Sequence, residues 1–209
     1  MKITKYAHAC LLVEAGDKTA LFDPGNYSYD SGLIDVEALP ELNYLVITHE
    51  HADHFYLPLS IQICKKYPSL TVITTKSVAA QLQDKVVIKL KTDLDVTCEL
   101  FTAPHENLPA GSPPENIGVH FAGLFTHPGD SHSFTSSKEV LAMPMTAPWG
   151  SMTAAVQKIL ELKPKHVVPI HDWHWRPEAL TGMYALIQGA LKEAGINFII
   201  PVDGQTIKL

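Results

Sequence analysis

Cysteine, arginine and long apolar runs are scarce in this chain of 209 residues. Its three cysteines are odd in number, far apart and never in a C-x-x-C spacing, which argues against a disulfide framework and a thiolate zinc site. The net charge of -6 offers no sequence-wide basic surface for a phosphate backbone. No apolar run approaches the roughly 20 residues of a membrane span, and the N-terminus has no signal-peptide core. We therefore expect a cytoplasmic protein with a small-molecule substrate, without nucleic acid or membrane as a partner; the sequence leaves a homo-oligomer open.

The apolar pattern along the chain changes from short strands to alternating strands and helices. Tight turns at Gly16-Asp17 and at "DPGN" (23–26) bound the first strands, which form a meander. Later strands are of the buried type and alternate with helices. The predicted strands lie at about 2–7, 10–15, 18–22, 43–48, 71–75, 86–90, 95–103, 117–126 and 139–143.

Two helices are predicted in the last third of the chain. One opens at Ser151 and has apolar residues at helical spacing. The other begins at Pro177, after the strand "HVVPI", and ends at Gly195 before the strand "INFII". Two halves of strands followed by helices predict two sheets packed face to face with helices outside. Without a repeat or a linker-like break, residues 1–209 are expected to form a single domain.

The segment "ITHEHADHF" (47–55) crowds three imidazoles and a carboxylate behind an apolar run. His49 and His51 are two residues apart in an extended segment, so their side chains can address one atom. Asp53 and His54 follow on a turn and can address a second point nearby. Neutral imidazole nitrogen and carboxylate oxygen are ligands of zinc and similar divalent ions. The segment therefore predicts two adjacent metal ions.

Further ligand-type residues lie at predicted strand ends. His105 follows "CELFTAP", Asp130 lies in "THPGDSH" after another strand, and His171 ends "HVVPI". Side chains gathered at neighbouring strand ends are a common way for a sheet to build a site. These three residues are therefore candidates to complete the metal centre.

The motif "THEHADH" resembles the metal motif of the metallo-β-lactamase superfamily, and "PHEN", "PGDSH" and "PIHDW" follow in that superfamily's order. The chain is most similar to short single-domain hydrolases such as ascorbate-6-phosphate lactonase, although Ala9 stands where they often have serine. The resemblance implies an α/β (α+β) fold, a four-layer αββα sandwich of two mixed sheets with outer helices. It also implies His49, His51 and His105 on one metal, Asp53, His54 and His171 on the other, and Asp130 bridging.

The expected activity is that of a metal-dependent hydrolase. Two divalent ions, with zinc expected and manganese or iron as alternatives, would share a hydroxide that cleaves an ester, lactone or phosphoester. Asp53 and Asp130 are the candidate catalytic carboxylates, and Asp53 is placed to help move a proton to the leaving group. Two alternatives remain: an iron-containing redox enzyme on the same fold, and a non-catalytic metal-dependent binding protein.

Other uncommon residues fall near the predicted ligands. His8 ends a strand and is interpreted as a hydrogen-bonding neighbour of the ligands, while His132 and His174 are candidate pocket residues. The chain has 3 Trp and a single arginine, and most of these lie in "HDWHWR". The hypothesis is that the indoles of Trp149, Trp173 and Trp175 form an apolar wall for the substrate, and that the guanidinium of Arg176 binds its carboxylate or phosphate.

Overall fold

Alternating apolar residues at the start of the chain form the predicted antiparallel meander. Its strands are β1 (Lys2–Ala7), β2 (Cys10–Ala15) and β3 (Lys18–Phe22), with the bounds that the sequence predicted. They belong to a computed structural model that describes residues 1–91 and 95–209. The chain divides into two units: unit 1 comprises Met1–Val96, Pro114–Ile117 and Pro201–Leu209, and unit 2 comprises Thr97–Pro113 and Gly118–Ile200.

Unit 1 contains a mixed sheet in which the meander continues into parallel strands. Strand β4 (Tyr44–Ile47) is buried at every residue, as expected for a parallel strand covered on both faces. The other elements of this unit are α1 (Asn26–Asp30), a 3-10 turn at Val36–Ala38, α2 (Leu57–Lys66), β5 (Thr71–Thr74), α3 (Lys76–Gln83), β6 (Lys89–Leu90) and β13 (Thr206–Lys208). The strand order is β13-β1-β2-β3-β4-β5-β6, parallel from β3 to β6.

Unit 2 contains a second mixed sheet. Its elements are β7 (Cys98–Thr102), β8 (Ile117–Phe121), β9 (Phe125–His127), β10 (Val140–Pro144), α4 (Met152–Leu162), β11 (His166–Ile170), α5 (Pro177–Glu193) and β12 (Asn197–Phe198). The first residue of β8, Ile117, is assigned to unit 1, and the rest of the strand belongs to unit 2. The strand order is β12-β11-β10-β9-β8-β7, and the pairs from β9 to β12 are parallel. Strands β10 and β11 end at Pro144 and Ile170, so the segments after them start at the same edge of the sheet.

The single strand predicted at 117–126 is wrong, because it folds as the hairpin of β8 and β9. Ala122 and Gly123 both have positive φ, at 52° and 68°, and the N–H of Leu124 donates to the carbonyl of Phe121. This is a tight turn of the kind that suits the twist of a hairpin. An alanine at its first position conceals the glycine-rich signal by which such turns are usually found.

Each unit has its own buried apolar cluster. In unit 1 the cluster includes Leu45, Ile47, Leu59 and Ile63, which join β4 to one face of α2. In unit 2 Leu141, Ala155, Ile159, Tyr184 and Leu191 join β10 to α4 and α5. No helix in the described part of the chain combines the length and the hydropathy needed to cross a bilayer.

Candidate functional site

In unit 1, the predicted ligand motif follows β4. The Nε2 atom of His49 lies 3.2 Å from the Nδ1 atom of His51. Two ligands bonded to one tetrahedral zinc at 2.0–2.1 Å are about 3.3 Å apart. These ring nitrogens therefore have a separation suited to one ion. The backbone is not extended as predicted, because β4 ends at Ile47 and the chain bends at Glu50 and His51.

The second half of the motif meets His8, which lies in the tight connection between β1 and β2. His8 Nε2 is 3.1 Å from Asp53 Oδ2, and His54 Nε2 is 3.8 Å from the same oxygen. The ligand atoms of His8, Asp53 and His54 all lie within 4.8 Å of one another. His8 is therefore within hydrogen-bonding distance of Asp53, and its nitrogen is also close enough to serve as a ligand.

Asp23 is a buried carboxylate that sequence reasoning treated only as part of a turn. It accepts hydrogen bonds from the backbone N–H of Thr48 at 2.7 Å and from the Thr48 hydroxyl at 2.8 Å. Its Oδ2 atom also lies 2.7 Å from Nδ1 of His54. Asp23 therefore holds the strand end that carries the motif and orients one of its imidazoles. The sequence signal that could have identified Asp23 is a carboxylate directly after a predicted strand, the same position at which the other candidate ligands occur.

Gly25 lets the segment after Asp23 approach the motif closely. A Cβ atom at this position would lie 1.9 Å from the carbonyl oxygen of Asp53. The next residue, Asn26, donates its N–H to the carbonyl of Ala52 at 2.8 Å. The "DPGN" segment thus supports the loop of the motif before α1 begins, and a side chain at Gly25 would displace that loop.

In unit 2, Asp130 lies between two of the predicted histidines. Its Oδ2 atom is 3.5 Å from Nε2 of His105 and 3.2 Å from Nε2 of His171. All three residues are buried, with exposed fractions of 6% or less. One carboxylate oxygen therefore lies within 3.5 Å of two imidazole nitrogens.

The hydrogen bonds of the imidazoles fix which nitrogen carries the proton. Nδ1 of His105 and Nδ1 of His171 each lie 2.6 Å from a backbone carbonyl, that of Glu106 and that of Thr146. Carbonyls only accept, so Nδ1 donates and Nε2 of a neutral ring holds its lone pair. His54 follows the same rule toward Asp23. In each ring the nitrogen that faces the other ligand-type atoms is therefore the one able to coordinate a metal.

Glu106 ties the loops of His105 and Asp130 to each other within unit 2. Its N–H donates to the carbonyl of Asp130 at 3.0 Å. Its carboxylate accepts from the N–H of His132 at 2.8 Å and from the hydroxyl of Ser133 at 2.7 Å. The "PHEN" and "PGDSH" segments are consequently held in one arrangement.

The predicted pocket residues of unit 2 fall into two groups. The indole of Trp149 lies 5.9, 5.3 and 5.4 Å from the rings of His105, His132 and His171, in edge contacts. His174 is 5.9 Å from His171 and 3.1 Å from the hydroxyl of Thr146. Trp149, His132 and His174 therefore adjoin the candidate ligands. Trp173 and Arg176 are exposed residues of the segment before α5.

Backbone strain marks three residues of these constellations. His8, Asp23 and His171 have φ angles of 53°, 43° and 63°, in the left-handed region that non-glycine residues seldom occupy. Such conformations cost about 1–3 kcal/mol each and persist where the surrounding structure enforces them. Here the hydrogen bonds of these three side chains or of their neighbours provide that constraint.

The cysteines do not supply a nucleophile to these constellations. All three are buried thiols. Burial raises the pKa of Cys64 to about 11 and raises that of Cys10 well above its ordinary value. A thiol with a raised pKa is a poor nucleophile at neutral pH.

Comparisons with known proteins agree with the motifs. The family model described as "Beta-lactamase superfamily domain" matches residues 2–171. Protein Rv0786c of Mycobacterium tuberculosis is 30% identical over 196 residues, covering 88% of this chain and 89% of that protein. A UPF0173 metal-dependent hydrolase of Alkaliphilus metalliredigens is 29% identical over 158 residues, covering 68% of each chain.

A solved structure shows the same fold. Igni18, a metallo hydrolase of the archaeon Ignicoccus hospitalis, superposes with a TM-score of 0.69 at 19% identity, covering 99% of this chain and 97% of that one. The predicted fold class, two mixed sheets with helices as in metallo-β-lactamases, is confirmed. The narrower likeness to ascorbate-6-phosphate lactonase stays a resemblance. With its family match over most of its length, the chain belongs to the metallo-β-lactamase superfamily.

Proposed function

We propose that this protein is a metal-dependent hydrolase that cleaves an ester, lactone or phosphoester of a small substrate. The observation that carries the proposal is the arrangement of His105, Asp130 and His171 in unit 2. Two imidazoles with Nδ1 bonded to carbonyls present Nε2 to one carboxylate oxygen, at 3.5 and 3.2 Å. A purely structural pair of histidines would have no need of this shared orientation.

The proposed ligand set holds two divalent ions. Following the superfamily resemblance, His49, His51 and His105 serve one ion, Asp53, His54 and His171 serve the other, and Asp130 serves both. Nitrogen and carboxylate donors without thiolate fit zinc, manganese and iron. Zinc is proposed because imidazole is the majority donor. His8 is proposed as the residue that positions Asp53, through their contact of 3.1 Å.

The bound ions would supply a hydroxide at neutral pH and polarise the scissile carbonyl or phosphoryl group. Asp53 is suited to handle the proton of the leaving group because its side chain is 25% exposed, whereas that of Asp130 is 1% exposed. A partly exposed carboxylate can exchange a proton with substrate and water. Asp130, which is buried between two imidazoles, is suited to hold charge in place.

An anionic substrate is the proposed class, on the evidence of the one arginine. Arg176 is exposed, at the N-cap of α5, and its guanidinium offers a planar fork for a carboxylate or phosphate. Trp149, in edge contact with His105 and His171, would border the reacting group. A cytoplasmic location is proposed because all three cysteines are buried thiols.

The test is metal analysis of protein purified without chelator, followed by an ester, lactone and phosphodiester panel with zinc and with manganese. We expect close to two equivalents of metal and hydrolysis that stops when metal is removed. Tightly bound iron with oxygen consumption would support the redox alternative instead. Bound metal with no turnover on any substrate would support a binding protein.

A further inference from the structure

Unit 2 contains an open cavity of about 590 Å³ beside the segment that follows β10. Its volume lies within the roughly 300–1,000 Å³ usual for small-molecule sites. No lining residue is an acid, a lysine or an arginine, so the cavity suits an uncharged group. The lining residues are Thr146, Ala147, Pro148, Gly150, Ser151, Met152, Thr153, His174, Trp175 and Met183.

Thr146 connects this cavity to the candidate ligand His171. The carbonyl of Thr146 accepts from Nδ1 of His171 at 2.6 Å, and its hydroxyl donates to the carbonyl of His171 at 2.8 Å. The same hydroxyl oxygen lies 3.1 Å from Nε2 of His174, which also lines the cavity. Because the hydroxyl proton is directed to His171, His174 donates to the hydroxyl oxygen. Cavity and ligand are thus joined through one residue.

The cavity wall offers apolar surface of an adaptable kind. Met152 and Met183 have unbranched side chains that adjust to different shapes, and Trp175 provides a flat indole. Met183 and Trp175 are each 36% exposed, so both side chains present apolar surface at the cavity that a ligand can cover. Their arrangement provides a surface that a substrate's hydrocarbon portion would cover.

We infer that this cavity binds an uncharged, apolar portion of the substrate, an alkyl or aryl group of several carbons, while the scissile group lies toward His171. This inference rests on the proposed hydrolase function and specifies the substrate of that site. The two parts of the substrate then bind in different places. The apolar body occupies the cavity, and any anionic group lies outside the cavity, toward solvent and Arg176.

The first experiment measures kcat/KM of the metal-loaded protein for p-nitrophenyl acetate, butyrate and hexanoate. Each buried methylene should raise kcat/KM roughly fourfold, so each step of two methylenes should raise it by about tenfold or more. Met183→Ala should reduce that gain several-fold per step. Leu186→Ala is the matched control, since Leu186 lies on the same helix, is 71% exposed and does not line the cavity.

The second experiment does not depend on turnover. Hexanol titrated into the metal-loaded protein should change its indole fluorescence at far lower concentration than ethanol does, and Trp175→Phe should remove that change. An equal response to both alcohols, or one that persists in Trp175→Phe, would overturn the inference even if the esters are hydrolysed. Hydrolysis with no dependence on chain length would also overturn it. A dimer that Met183→Ala dissociates would show that a second copy of the chain covers the cavity, which contradicts the inference.

If hexanol binds as expected but no ester, lactone or phosphodiester is hydrolysed, the proposed function fails and the apolar site stands. The two proposals are therefore separated by their results.

Discussion

Asp23→Asn is the substitution for which the structure gives the sharpest expectation. The carboxylate accepts from the N–H of Thr48 with Oδ1, and from the hydroxyl of Thr48 and Nδ1 of His54 with Oδ2. Asparagine keeps one oxygen for the N–H. Its NH₂ group then takes the place of Oδ2. This group is a donor, and it faces two other donors, the hydroxyl of Thr48 and Nδ1 of His54. Leaving them unsatisfied in a buried position costs about 1–3 kcal/mol each.

The protein can relieve this conflict in a way that harms the metal site. If His54 moves its proton from Nδ1 to Nε2, Nδ1 can accept from the new amide, and part of the stability returns. The lone pair of Nε2 is then lost, and with it the ability of His54 to coordinate a metal. We expect roughly a 10- to 100-fold weaker affinity for one metal equivalent, the usual effect of losing a partner that orients a ligand.

The assay is a competition titration with a chelating dye, accompanied by urea unfolding of the metal-free protein. Asp17→Asn is the control, because Asp17 lies in the exposed turn before β3. It should leave affinity and unfolding unchanged. Wild-type metal affinity in Asp23→Asn, with or without a loss of stability, would refute the idea that Asp23 sets the proton position on His54.

Three further predictions concern metal, pH and substrate charge. Metal removal with EDTA should lower Tm by about 10 °C, because ions bound only by the folded chain stabilise it, and readdition should restore Tm; an indifferent Tm would contradict this. Burial raises the pKa of Cys64 from 9.0 to about 11, so the unfolded chain releases this proton first and the free energy of unfolding should fall as pH rises through that window. Urea unfolding at both ends of the window should show a weaker fall in Cys64→Ala. Arg176→Ala should raise KM far more for an anionic substrate than for a neutral ester, whereas Lys192→Ala on the exposed side of α5 should not; equal loss on both substrates would make Arg176 structural.

Much of the fold follows from local signals. The first three strands have the predicted bounds because alternation and the Gly16 turn specify them, and Ser151 caps α4 as its side chain accepts from the N–H of Ala154. The short helix α1 and strand β13 were missed. Strand β13 has only three residues, and its pairing with β1 joins the two ends of the chain. Contacts of such long sequence separation leave little trace in a local pattern.

The residues of the candidate site likewise divide into those that a local motif predicts and those that depend on contacts between distant segments. The motif "THEHADH" alone indicated the grouping of His49 with His51 and of Asp53 with His54, because residues this close in sequence stay close in space even where the chain bends and turns after β4. Asp23 and Glu106 were missed as site residues. Their roles arise from contacts across neighbouring segments, and a single acidic residue in a turn has a common structural explanation. His8 was noticed, but its closeness to Asp53 depends on how the β1–β2 connection meets the motif loop 45 residues away.

The predicted histidines and aspartates are proposed to bind two metal ions that hydrolysis requires. The direct measurement is metal content per chain by mass spectrometry, taken together with ester turnover, for the wild type, His51→Ala, Asp130→Ala and the control His166→Ala. His166 is the first residue of β11 and belongs to none of the candidate ligand groups. We predict about two equivalents and full activity in the wild type and the control, and loss of at least one equivalent and nearly all turnover in the other two. Full metal content and full activity in His51→Ala would contradict the claim.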